Sequence, residues 1–253
     1  MRNSRKTYFE NGEGTRLCGI IDSPDGELKA AAVFAHCFTC TKDLKAIVKI
    51  SRRLAEHGIA VLRFDFTGLG DSGGSFSDSN FDTCRQDMFA AANHMAQETQ
   101  SPELLIGHSL GGAAAMTVAS KIESVKAMVT IASPSSTIHL ADFLSRTNPD
   151  IVEKGEGEVE IGGRTYLLKK QLIDNLRQQD LPSSLEQLTI AHLIFHPDED
   201  ETLPYWHAEK MFELTGGPKS MVTLDKSDHL LVTRRDDCDF VADLIDRWLQ
   251  RFQ

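Results

Sequence analysis

A serine stands between an apolar run and a run of small residues in the stretch LLIGHSLGGAAA, at 104–115. Gly107, Ser109 and Gly111 fit the pattern G-x-S-x-G, in which the serine lies on a sharp turn from a strand into a helix. The helix N-terminus offers N–H groups to a developing oxyanion. The sequence therefore predicts Ser109 as a nucleophile and the Leu110 N–H as one oxyanion donor. The alternative is a small residue that only fits a tight turn.

A serine hydroxyl is a weak nucleophile, so a base must take its proton and an acid must orient that base. Where this turn carries a catalytic serine, the chain order is serine, acid, histidine. His207 lies in a predicted helix, where an ordinary solvated histidine is expected. His229 follows a predicted strand in the loop KSDHLLV. We therefore expect His229 to be the base, and the alternative is a surface-loop histidine.

The acid is expected in the loop HPDEDETLP, which follows the apolar run AHLIF and offers four carboxylates. Most of these carboxylates are expected to be solvated. One must reach the far ring nitrogen of His229 to fix its tautomer. We choose Asp200 and keep Asp198 as the second choice, since spacing alone does not separate them.

A C-x-x-C pair, Cys37 and Cys40, occurs in the segment HCFTC. Such a pair can bind zinc or perform redox chemistry. A structural zinc site needs four ligands, and the sequence shows no second pair with that spacing. We therefore expect no metal and no cofactor, and we predict small buried thiols on the floor of the pocket.

Three polar residues near these motifs are expected to have structural roles. Asp65 and Asp71, in FDFTGLGDSGG, precede the serine, and we predict that they brace a glycine-rich turn. His108 is predicted to pack beneath the serine rather than to react.

The elements that must position these residues are short apolar runs alternating with helical patterns. The repeated strand–helix–strand units require parallel strands, because each crossover helix returns the chain to the same edge. A hairpin is predicted near Asn11 and Gly12. The predicted class is α/β, a mostly parallel central sheet flanked by helices, in a single domain spanning 1–253.

The regular alternation is interrupted at 134–187. This segment contains the helical piece HLADFLSRT, a hairpin pattern around Gly162 and Gly163, and the helical piece QLIDNLRQQ. It is too structured for a loop and too small for an obvious second domain. We predict that it is a cap inserted between two strands.

The formal net charge is −10 and the sequence pI is near 5.4, so an acidic surface would repel nucleic acid. No apolar run is long enough to span a bilayer, and no secretory signal is visible. Five scattered cysteines favour reduced thiols over a disulfide framework. We expect a cytoplasmic protein with a small-molecule partner, no nucleic acid and no membrane. A homodimer is possible.

Along nearly its whole length the chain resembles the α/β-hydrolase-fold serine hydrolases. FAHCFTCTKD resembles their oxyanion loop after a strand, RFDFTGLGDSGG their glycine-rich aspartate segment, GHSLGG their nucleophile elbow, and SDHLL their histidine loop. HPDEDETLP is similar to their acid loop and places the acid on Asp200. The resemblance implies the second oxyanion donor at the Phe38 N–H, with Cys37 where glycine is usual. HCFTCTKD, FDFTGLGDS and DHLL also resemble hydrolases sometimes fused to an OsmC-like domain.

The predicted reaction is hydrolysis of a carboxylic ester or related acyl bond through an acyl-enzyme on Ser109, typical of a carboxylesterase. Thioesterase and peptidase specificity stay open. Two alternatives come from other classes: a binding or sensing module on the same fold without turnover, and redox chemistry through Cys37 and Cys40. The natural substrate and acyl chain length are not readable from the sequence.

Overall fold

The computed structural model describes residues 3–234 and 236–252. The strands of its central sheet are β1 (Asn3–Glu10), β2 (Arg16–Ser23), β3 (Ala30–Ala35), β4 (Ile59–Phe64), β5 (Leu104–His108), β6 (Ala127–Ile131), β9 (Ala191–Pro197) and β10 (Lys219–Leu224). Their order across the eight-stranded sheet is β1-β2-β4-β3-β5-β6-β9-β10. A separate two-stranded hairpin consists of β7 (Glu156–Ile161) and β8 (Arg164–Lys169).

The central sheet is antiparallel only at one edge. β1 pairs with β2, and β2 with β4, in antiparallel register, whereas the remaining pairs from β4 to β10 are parallel. The mostly parallel sheet predicted from alternating apolar runs and helical patterns is therefore confirmed, as is the hairpin near Asn11.

Helices cover both faces of this sheet. The α-helices of the described residues are α1 (Lys45–Glu56), α2 (Phe81–Glu98), α3 (Leu110–Val118), α4 (Ile138–Thr147), α5 (Asp150–Glu153), α6 (Lys170–Arg177), α7 (Leu181–Glu186), α8 (Trp206–Leu214) and α9 (Asp237–Leu249). Val33 and Leu105 point into the apolar cluster under α2 and α3, while their neighbours Phe34 and Ile106 join the cluster under α1 and α9. This alternation explains why β3 and β5 lack a polar face.

Residues 134–187 lie between β6 and β9 and contain α4 to α7 and the β7–β8 hairpin. The hairpin turns at Gly162 and Gly163, which both have positive φ, as the sequence pattern indicates. The helix α7 is not among the sequence-based predictions. Its start signal is nevertheless present, because the side chain of Asp180 accepts the Ser183 N–H and a proline follows in the first turn.

No helix in the described ranges, 3–234 and 236–252, is both long enough and apolar enough to cross a bilayer.

Candidate active site

The serine motif forms the sharp turn that its sequence predicts. β5 ends at His108, α3 begins at Leu110, and Ser109 between them has φ 52° and ψ −120°. Non-glycine residues rarely adopt this left-handed φ, and such strain is found where a site holds it in place. Ser109 is partly exposed while the strand before it is buried. Its side chain therefore stands at the carboxyl edge of the parallel sheet, where ligands bind in this class of fold.

The two glycines of the motif allow a close approach of backbone segments. A Cβ atom on Gly107 would lie 2.4 Å from the Gly111 carbonyl oxygen. A Cβ atom on Gly111 would lie 2.4 Å from the Ala35 carbonyl oxygen and 2.5 Å from that of His36. The first turn of α3 thus rests directly on the end of β3 and on the loop that follows it.

Asp200 and His229 are brought together from two different loops. The Asp200 Oδ2 lies 2.7 Å from the His229 Nδ1, and the Asp200 side chain is fully buried. The Asp200 Oδ1 accepts the N–H groups of Thr202 and Leu203, each at 2.8 Å. This arrangement fixes the proton of a neutral His229 on Nδ1 and leaves Nε2 as an acceptor.

The environment keeps Asp200 ionised. Burial opposes its charge, but the hydrogen bond and the charge of His229, together with the two backbone donors, outweigh burial and lower the pKa of Asp200. The second-choice acid is placed differently, since the Asp198 Oδ1 accepts the Lys226 N–H at 2.8 Å and braces a turn. The structure places Asp200, rather than Asp198, beside His229.

His108 connects the serine turn to the histidine loop. Its Nε2–H donates to the His229 carbonyl oxygen at 2.7 Å, and the two imidazole rings lie 5.1 Å apart. Burial lowers the pKa of His108 to about 3, so the ring stays neutral. The structure therefore brings His229 next to the residue that precedes Ser109, and His108 packs there as predicted.

Asp228 shapes the loop that carries His229, a role that the sequence analysis missed. Its carboxylate accepts the backbone N–H groups of Leu230, Val232 and Thr233. These bonds fold the loop that carries His229 around the Asp228 side chain. Aspartates commonly bond to backbone groups a few residues further on. That tendency, applied to the segment SDHLL, predicts that Asp228 bonds the backbone of its own loop.

The proposed oxyanion residues meet at one small cavity. Phe38 and Leu110 both line an apolar cavity of about 20 Å³, together with Phe66, Phe76 and Leu172. The loop after β3, which contains Phe38, is anchored by His36, whose Nδ1–H donates to the Cys37 carbonyl at 2.7 Å. The Nε2 of His36 accepts the Phe66 N–H at 3.2 Å. Burial lowers the pKa of His36 to about 4, which agrees with this neutral tautomer.

The prediction of two reduced thiols in this loop is wrong. Cys37 and Cys40 form a disulfide, with Cα atoms 5.3 Å apart. Spacing in the sequence could not show this, because bonding depends on a turn that brings the two Cβ atoms within reach. The left-handed residue in the turn is Thr39, at φ 60°, and not Cys37.

Asp65 has the bracing role predicted for it. Its carboxylate accepts the Lys42 backbone N–H at 2.7 Å, the Lys42 ammonium at 2.8 Å and the Asp71 N–H at 2.9 Å. The Lys42 ammonium also contacts Asp71 at 2.9 Å. Cys18, Asp65 and Asp71 are close enough to share a metal ion, but the ammonium already supplies the cation that balances these carboxylates.

His207 is not the solvated helix residue that the sequence suggests. It is buried at the start of α8, and its Nδ1 accepts the Ser135 N–H at 3.2 Å. Desolvation lowers its pKa to about 4. His207 thus ties α8 to the beginning of the 134–187 segment and has no bond to Asp200.

A larger open groove lies elsewhere, along α1 and the end of β2. It has a volume of about 1010 Å³ and is lined by both acidic and basic side chains, including Asp22, Lys29 and Arg52. It contains none of the predicted catalytic residues.

Comparisons with known proteins agree with this architecture. A family model described as "Serine aminopeptidase, S33" matches residues 26–149. The solved esterase domain of a Rhodothermus marinus protein is 37% identical, covers 99% of both chains and has a TM-score of 0.77. The chain belongs to the α/β hydrolases.

Two further proteins are more distantly similar. The rat protein "Palmitoyl-protein thioesterase ABHD10, mitochondrial" is 26% identical over 212 residues, which are 81% of this chain and 70% of that protein. Est1E from Butyrivibrio proteoclasticus, solved with ferulic acid bound, is 22% identical over 97% of this chain and 98% of its own, with a TM-score of 0.78. The second likeness concerns the fold alone.

Proposed function

We propose that the protein is a serine esterase that cleaves a carboxylic ester through an acyl-enzyme on Ser109. The observation that carries the proposal is the pairing of two features at one edge of the sheet. Ser109, with positive φ, immediately precedes α3, and a histidine whose Nδ1 is held 2.7 Å from a buried carboxylate contacts His108, the residue before that serine. A protein that only binds its ligand has no need for both features.

In the first half of the reaction, the Nε2 of His229 takes the proton from the Ser109 hydroxyl as its oxygen attacks the ester carbonyl. Asp200 stabilises the imidazolium that forms and stays ionised itself. The N–H groups of Leu110 and Phe38 donate to the oxyanion. The same imidazolium then protonates the departing alcohol.

In the second half, water replaces the alcohol. His229 takes a proton from this water as it attacks the acyl carbonyl, and returns the proton to the Ser109 oxygen when the acid leaves. The buried ring of His108 stays neutral while His229 is transiently charged, so it adds no second positive charge to the site.

An ester is proposed ahead of other acyl bonds because the Rhodothermus marinus relative is described as an esterase domain over almost all of both chains. Thioester hydrolysis is the second candidate, since the rat relative carries that name. The 134–187 segment is proposed as the cap that selects the substrate: the Tyr166 hydroxyl, on β8, donates to the Thr39 carbonyl next to Phe38.

The test replaces Ser109 by alanine and measures hydrolysis of p-nitrophenyl acetate and the matching thioester. The rate is expected to fall by roughly six orders of magnitude, as it does when triad members are removed elsewhere. Ser120→Ala is the matched control, because Ser120 is an exposed serine just after α3.

Labelling with a fluorophosphonate separates the esterase from a binding module. The esterase is expected to be labelled at Ser109, and S109A is expected to stay unlabelled. A folded wild-type protein that never reacts with the probe would favour the binding module instead.

A further inference from the structure

The oxyanion loop is closed by a covalent bond that the hydrolytic reaction itself does not use. Cys37 and Cys40 flank Phe38 and Thr39, and their disulfide joins the two ends of this turn. The Cys40 N–H also donates to the Cys37 carbonyl at 3.2 Å. Phe38, whose N–H is the proposed second oxyanion donor, is therefore enclosed in a four-residue ring.

The segments on both sides of this ring are held independently of the sulfur atoms. On one side, the His36 ring bonds both the Cys37 carbonyl and the Phe66 N–H. On the other side, the buried Lys42 is bonded to Asp65 through both its backbone N–H and its ammonium. Breaking the disulfide would therefore loosen the Phe38 turn and leave its anchors in place.

The disulfide contributes little to the fold as a whole. A cross-link stabilises a protein mainly by restricting its unfolded chain, and this effect is smallest for the shortest loops. The sequence separation here is three residues. What the bond does constrain is the direction of one N–H, and donors to an oxyanion act only when they are aimed correctly.

The two sulfur atoms differ in their exposure. Cys37 is 4% exposed, whereas Cys40 is partly exposed at the surface of the loop. The three remaining cysteines are thiols: Cys18 and Cys238 are buried, and Cys84 is largely enclosed. Burial raises the pKa of each of these thiols, which keeps them protonated and poorly reactive.

We propose that Cys37–Cys40 is a thiol–disulfide exchange site that positions the Phe38 N–H, so that a dithiol reductant lowers the hydrolytic rate. This inference rests on the proposed function. One reductant thiolate attacks the Cys40 sulfur, and Cys37 leaves as a thiolate that takes a proton. The second reductant thiolate then attacks the reductant sulfur of this mixed disulfide, and Cys40 leaves as a thiolate that takes a proton. Two protein thiols have formed, and the dithiol has become a cyclic disulfide.

The test compares oxidised and dithiothreitol-reduced wild-type protein on p-nitrophenyl acetate. Intact mass before and after alkylation counts the reduced cysteines, and peptide mapping of the alkylated protein identifies them, whether or not the protein is active. We expect kcat to fall on the order of tenfold, less than the loss of a whole oxyanion donor. KM is expected to change less than about twofold, since the donor acts in the transition state. Reoxidation should restore the rate.

Two variants serve as controls. The double variant C37A/C40A should match the reduced wild-type enzyme and should not respond to the dithiol. C84A should respond to it as the wild type does. Reduction of the wild type needs no substitution. The comparison of oxidised and reduced wild type therefore tests the inference even if the double variant fails to fold.

An unchanged kcat in fully reduced wild-type enzyme would overturn this inference and leave the esterase intact. So would a wild-type protein whose Cys37 and Cys40 stay alkylatable after treatment with an oxidant. Oxidised protein that neither hydrolyses the ester nor reacts with a fluorophosphonate would overturn the proposed function and the inference with it.

Discussion

At the scale of single residues, two carboxylates on the same loop have different tasks. Asp200 is buried and bonded to the Nδ1 of His229 and to two backbone N–H groups. Asp198, two residues earlier, bonds the backbone of Lys226. The first carboxylate orients an imidazole, whereas the second braces a turn.

Asp200→Asn is therefore expected to lower kcat on the order of ten-thousandfold, because an amide favours the wrong imidazole tautomer. Steady-state hydrolysis of p-nitrophenyl acetate measures the loss. Asp198→Asn is the matched control and should stay within about tenfold of wild type. Equal losses in both variants would contradict the separate roles.

Sequence reasoning could select Ser109 and His229 as candidates because each lies in a short motif between recognisable elements. It could not separate Asp200 from Asp198 by spacing, since both follow the same strand and only the side-chain direction distinguishes them. The disulfide and the loop-closing role of Asp228 were missed for a related reason: each depends on the conformation of a turn.

At the scale of elements, α3 and the loop after β3 must touch for the two proposed oxyanion donors to converge. Gly111 makes this contact possible, because any side chain there would meet the carbonyl oxygens of Ala35 and His36. Neither partner is a flexible side-chain end, so the helix or the loop would have to move.

Gly111→Ala is expected to reduce the free energy of unfolding by about 1–3 kcal/mol. It should also lower kcat, because the Leu110 and Phe38 donors move apart. Urea unfolding and ester hydrolysis measure the two effects. Gly12→Ala is the control, since a Cβ atom at Gly12 meets nothing within 4 Å. A stable and fully active G111A would refute the close-contact argument.

A hydroxyl of the β7–β8 hairpin bonds the loop that carries the proposed Phe38 donor. Tyr166 O–H donates to the Thr39 carbonyl at 3.2 Å, and its ring packs edge-on against Phe76. Tyr166→Phe keeps the ring and removes the bond, so kcat/KM should fall about threefold to tenfold. Tyr8→Phe on β1 is the control and should leave kcat/KM unchanged. An unaltered rate in Y166F would argue against coupling between the hairpin and the loop.

At the scale of the whole molecule, the fold was predictable because strands with two covered faces read as unbroken apolar runs. The core also holds many neutral histidines, which the sequence does not reveal. Burial lowers the pKa of seven of the nine: His36, His94, His108, His139, His192, His196 and His207.

These histidines make stability depend on pH. In the unfolded chain these histidines bind protons as the pH falls below their ordinary pKa of 6.5, whereas burial lowers each of their pKa values in the folded protein. Their contribution to the free energy of unfolding is therefore complete above pH 6.5. It is lost as the pH falls from that value towards the lowered pKa values of the folded protein. We expect the urea midpoint to fall between about pH 7 and about pH 5, before most carboxylates titrate.

His192 tests this directly, because its two ring nitrogens bond only neutral partners, the hydroxyls of Thr130 and Thr215. Burial lowers its pKa to about 3. His192→Gln should lower the free energy of unfolding at about pH 7. Between about pH 7 and about pH 5 that free energy should fall less steeply than in the wild type, with a slope smaller by up to about 1.4 kcal/mol per pH unit. Parallel pH curves for the two proteins would rule the histidine out as a cause.

Strands β6 and β9 are hydrogen-bonded neighbours, although 134–187 separates them in the chain. Their register is set by the ladder between them and not by the length or sequence of what joins them. The intervening segment could therefore be exchanged for that of another homologue without changing how the strands align. Because that segment also carries Tyr166, which bonds the Thr39 carbonyl, an exchange that keeps this tyrosine would vary the proposed cap and leave both the strand register and the loop contact in place.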